Sequence, residues 1–97
     1  MSGWPKTVEG AATRVLERLS AGDVERLAGM EERELVRLHH GLGRWIRNNL
    51  GLWQGNRELK RATGKIHPDD ASGVIIKAAW RAAREGGRAT AAEEKVE

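Results

Sequence analysis

The stretch Leu35 to Asn56 is the one the rest of the chain is expected to be organised around, and HPDDASGVIIKAAWRAARE, residues 67–85, carries one of the clearest helix-start signals beside it. His67 or its neighbour can cap a helix, and Pro68 suits the first helical position, where no backbone N–H is needed. Asp69 and Asp70 then fall at the positive end of the helix dipole. Beyond them Ala71, Val74, Ile75, Ile76, Ala78, Ala79, Trp80, Ala82 and Ala83 leave the helix apolar almost all round. Such a helix must be covered on most sides, so it belongs at the centre of a bundle. With 97 residues available, one small domain is expected. A domain of that size hides only roughly 60–70% of its unfolded surface. A few bulky side chains must therefore supply the core, and four Trp stand in for the absent Phe and Tyr.

Earlier segments read as two further main helices and two short ones, separated by glycine. Residues 1–6 form an extended arm, because Pro5 disfavours the helical region for Trp4, and Trp4 is expected to fold back over the bundle. Thr7 is a plausible N-cap for a helix over 8–20 that stops at Gly22. Asp23 can cap a short helix to Ala28. A second long helix is expected over 31–50, opened by Glu31, Glu32 and Glu34 and stopped by Gly51. At about 100° per residue its Leu35, Leu38, Leu42, Trp45, Ile46 and Leu50 share one side, with Asn49 in the middle of that side and His39 on its edge. Gly41 and Gly43 inside it cost about 1 kcal/mol each relative to Ala. Close approach of another helix, Gly73 of the last one included, or of a ligand would offset that cost. Asn56 should cap a short helix over 57–63, closed by Gly64. From Gly86 the composition is Gly, Ala and Glu-rich, so 86–97 is expected to be a disordered tail.

Charge is polarised. Net charge is only +3, yet from Arg33 to Lys65 eight Lys and Arg face two Glu, a local +6 that leaves −3 for the rest. Cysteine is absent, which excludes disulfides, thiolate catalysis and cysteine zinc sites. No apolar run approaches the roughly 20 residues that span a bilayer, and MSGWPK lacks the apolar core of a secretory signal. A cytoplasmic protein with no membrane association is the expectation.

The motifs LHHGLGRWIRNNLGLWQGN (38–56) and HPDDASGVIIKAAW (67–80), preceded by WPKTVEGA (4–11), resemble a family of small bacterial proteins classed as a domain of unknown function. The resemblance covers about residues 4–85 and implies no activity. It implies an aromatic such as Phe at the place of His40, which argues against a required chemical role there and leaves His39 a candidate.

Two constellations compete for a role. The first is a basic face. On a continuous helix Arg33, Arg37, His40, Arg44 and Arg47 fall within a sector of roughly 80°, and Arg57, Lys60, Arg61 and Lys65 extend it. Such a row can follow a phosphate backbone or meet an acidic protein; its bland counterpart is a solvated helix face. The second is a polar cleft of His39, Asn48, Asn49, Trp53, Asn56, His67, Asp69 and Asp70, with Arg47 beside it. These could surround a small ligand or a partner. Equally they could form a network in which Asn49 and Asn56 satisfy loop backbone and an Asp holds Arg47.

Chemistry is thinly supported. Adjacent His39 and His40 point about 100° apart on a helix and no HExxH pattern occurs, so no metal is expected. His39 or His67 beside Asp69 or Asp70 has acid–base residue types but no nucleophile motif. GLG without a following GK[ST] is no phosphate loop. The expectation is an all-α fold, a compact bundle of three main helices (8–20, 31–50, 68–85) with two short connectors, and Trp45 and Trp80 in the core. Functionally it is a non-enzymatic protein-interaction module without cofactor, monomeric or homodimeric. Nucleic-acid binding and a ligand pocket or enzyme around His39, Asn49, His67 and Asp70 are the rivals.

Overall fold

A computed structural model describes residues 3–96 of the chain, with side chains from 3 to 85. Among the described residues it is all-helical, and every other helix packs against one long C-terminal helix. That helix, α5 (Pro68–Val96), opens as the sequence requires, with the Ala71 N–H donating to the His67 carbonyl (2.9 Å). Ala71, Ile75, Ile76, Ala79 and Ala83 are its buried positions. The disorder expected for 86–97 lies outside the residues whose side chains are described.

Helix α1 (Val8–Arg18) is capped by Thr7, whose Oγ1 accepts from the Gly10 N–H at 2.9 Å. It ends sooner than expected because Ser20 is used to start the next helix. Ser20 Oγ accepts from the Asp23 N–H (3.1 Å), taking the capping role assigned to Asp23. Helix α2 (Ala21–Ala28) therefore contains Gly22 rather than stopping there.

The continuous helix expected over 31–50 is not formed. Glu32–Leu38 is a 3-10 helix, His39–Gly41 turns, and α3 covers only Leu42–Asn49. Two interior glycines within three residues remove the propensity to carry a helix across this point. Three residues per turn also place Glu32, Leu35 and Leu38 in one line. That line faces α5: Leu35 is buried, and Glu32 Oε2 meets Lys77 Nζ at 2.6 Å. Gly43 has the close approach its cost demanded. A Cβ there would lie 3.6 Å from Ile76 Cδ1 of α5 and 3.1 Å from the Arg47 guanidinium.

Helix α4 (Arg57–Thr63) matches its expected limits, with Asn56 as N-cap and Gly64 left-handed at φ 74°. The architecture is thus one 29-residue helix packed by five segments of 7 to 11 residues, rather than three comparable helices. Trp45 and Trp80, expected in the core, sit at its border. Both are half-buried, Trp80 Nε1 donates to the Met30 carbonyl (2.8 Å), and Arg18 and Arg84 lie over the two rings. No helix of the described residues is long and apolar enough to cross a membrane.

Candidate interaction surface

The break at 39–41 divides the basic face. At its N-terminal end Arg33 pairs with Glu31 (2.9 Å) and Arg37 with Glu34 (3.9 Å), both pairs at the surface. Arg47 turns inward. With a side chain only 11% exposed, it donates to Ser72 Oγ (3.0 Å) and the His39 carbonyl (3.5 Å), and its Nε lies 3.3 Å from Asp69 Oδ1. Ser72, itself fully buried, passes the chain on by donating to the Asp69 carbonyl at 2.8 Å. Arg47 is thus a clamp between α3 and the first turn of α5, not a member of an open stripe. His40 and Arg44 are exposed.

What remains together is the cationic end around α4. Arg57, Lys60 and Arg61 share one helix face at i, i+3 and i+4, and Lys65 follows the Gly64 turn. None of the four has an ion-pair partner among the described residues. They line an open groove of about 420 Å³ with Gly64 and Ile66. Two local hydrogen bonds close the turn: Thr63 Oγ1 donates to the Lys60 carbonyl (2.7 Å) and accepts from the Lys65 N–H (3.2 Å). Ile66 stands 88% exposed in this setting. Sequence reasoning missed it, although its place between the Gly64 stop and the Pro68 start puts it in a connector too short to fold inward.

The polar set does not gather round one cavity. Asn56, buried, has its capacity taken up by backbone: Oδ1 accepts from the Leu59 N–H (3.3 Å), and Nδ2 donates to the carbonyls of Leu50 (2.8 Å) and Pro5 (2.9 Å). Asn49 is exposed rather than central to the apolar side, and its Nδ2 donates to Trp45 O of its own helix. The Asn48 carbonyl accepts from Gln54 Nε2. Trp53, 56% exposed, and His67 and Asp70 face solvent. His39 lines a hollow, about 160 Å³, between the 3-10 helix and α5, beside Gly73 and the Glu32–Lys77 pair. There the Lys77 ammonium, by hydrogen bond and by charge, holds the Glu32 carboxyl below its ordinary value. A further apolar hollow of about 180 Å³, unforeseen from the sequence, lies among Leu19, Leu27, Met30, Leu38 and Leu42.

Among the described residues no group of His, Asp and Glu is placed to hold a metal ion. No buried side-chain nitrogen or oxygen there lacks a hydrogen-bond partner. No curated protein and no solved structure matches the chain. A family model does, over residues 4–83, most of the domain just described, and the chain belongs to that family, the domain of unknown function DUF6794.

Proposed function

We propose that this chain is a small non-enzymatic protein-interaction module and that its docking surface is the cationic face of α4. The observation that carries the reading is the group Arg57, Lys60, Arg61 and Lys65, four cations within nine residues and without ion-pair partners among the described residues. Helix stability accounts for only part of it. Lys60 and Arg61 complement the negative end of the helix dipole, but Arg57 sits in the first turn, where a positive charge is unfavourable. A partner that supplies negative charge makes sense of all four. The polar residues once grouped as a cleft support the same surface indirectly, since Asn56 caps α4 and Arg47 holds the start of α5. The proposed setting is the bacterial cytoplasm, which the lack of cysteine suits.

Pull-down from a nuclease-treated bacterial lysate tests the reading, comparing wild type with Lys60→Glu/Arg61→Glu. A protein retained by the wild type and lost from the folded variant is the expected result. Material that disappears with nuclease would move the surface to nucleic acid, whose binding weakens steeply with salt. Retention unchanged by the variant, or no retention, overturns the proposal.

A further inference from the structure

We infer that the segment recognised by this surface is an acidic peptide carrying one apolar anchor, with carboxylates on Arg57, Lys60, Arg61 and Lys65 and the anchor against Ile66. The inference rests on the interaction-module reading and adds the chemistry of the partner. Its ground is the company Ile66 keeps. An isoleucine 88% exposed gains nothing in the folded chain, and it lines the same groove as the four cations. Covering it removes apolar surface from water, worth about 25 cal/mol per Å². The cations meanwhile attract negative charge and steer its approach.

A nucleic acid would use only half of this arrangement. Phosphates match the cations, but a single-stranded ligand gains most from aromatic side chains on which bases stack, and the groove contains none. A peptide of Asp and Glu with one aliphatic residue uses both halves. The Thr63 hydrogen bonds and the left-handed Gly64 set where Lys65 and Ile66 emerge beside α4.

Three fluorescent probes test this on the intact chain by anisotropy: a short Asp/Glu peptide with a central Leu, the same peptide with Gly in its place, and an oligothymidylate. The Leu peptide should bind roughly tenfold more tightly than the Gly peptide, the equivalent of one well-covered aliphatic side chain. Ile66→Ser should erase that difference, and Lys60→Glu/Arg61→Glu should abolish binding of both peptides. Ile66 is exposed, so Ile66→Ser should retain the wild-type melting temperature, while the charge-reversed variant should stay folded with a lower one, because Glu at 60 and 61 opposes the negative end of the α4 dipole. Equal affinity for the two peptides, or tighter binding of the oligothymidylate, overturns the inference. Should neither peptide bind while the lysate partner is still retained and still lost from the charge-reversed variant, the acidic-peptide inference falls and the interaction module stands. Should that partner be absent as well, both fall.

Discussion

Single side chains in this molecule divide sharply by what surrounds them, and Arg47 and Asp69 show the division within one ion pair. Arg47 is mostly buried and serves three acceptors, whereas Asp69 is 57% exposed. Arg47→Ala should lower stability by about 2 to 3 kcal/mol, because it leaves buried Ser72 short of a partner and opens a void. Asp69→Ala should cost less than about 1 kcal/mol, since its half of the pair is solvated. Urea unfolding of both variants checks the contrast, and equal losses would contradict it. Asn56→Ala should be about as damaging as Arg47→Ala. It removes a helix cap and strands the Leu50 and Pro5 carbonyls, for a loss of about 2 to 3 kcal/mol.

Among elements, the attachment of the 3-10 helix carries a pH dependence. Glu32 titrates below its ordinary value of 4.5 because Lys77 on α5 stabilises the carboxylate. The lowered folded-state value means the contribution is whole above pH 4.5 and is lost as pH falls from there through the depressed value. Glu32→Gln should therefore flatten the stability profile in that acid range and leave its neutral shape unchanged. Acid titration of the melting temperature reads this directly. The same element marks where the sequence stopped being legible. Thr7, Asn56, Gly64 and Pro68 announced their helix ends correctly, because caps and left-handed glycines act within three or four residues. The break at His39–Gly41 was read as a packing device inside a continuous helix. Hydrophobic period alone could not separate the two, since Leu35 and Leu38 satisfy three residues per turn as well as 3.6. The basic face inherited that error, and Arg47 was placed outward. One of the two readings of the polar set, a network in which Asn49 and Asn56 satisfy loop backbone and Asp69 or Asp70 holds Arg47, anticipated the Asn56 bonds and the Arg47–Asp69 contact but not the Asn49 bond within its own helix, while Ser72 was missed because a first-turn serine carries no signal of its buried partner. The cations of α4 were legible because they need only their own helix to align.

For the whole molecule, the dominance of α5 has an energetic meaning. Since every other element leans on it, damage there should be felt everywhere at once. Ile75→Ala, at a position with no exposure, should cost about 3 to 4 kcal/mol. Circular dichroism and Trp fluorescence should then report a single coincident transition; separated transitions would show that α1 and α4 hold together without it. The N-terminal arm stands apart from this cooperative unit in the order of events. Trp4 lies so close to Gly51 that a Cβ there would fall 2.5 Å from its ring, the Pro5 carbonyl accepts from Asn56, and Lys6 reaches Glu58 at 3.6 Å. These contacts join residues about fifty positions apart, so their loop-closure entropy is met only after the chain between them is already folded. The arm is therefore expected to dock late, outside the folding transition state. Gly51→Ala, which evicts Trp4 and strains the left-handed backbone at φ 82°, should accelerate unfolding while leaving the refolding rate nearly unchanged. For the cell that difference sets how long a folded copy survives, rather than how quickly a new one is made.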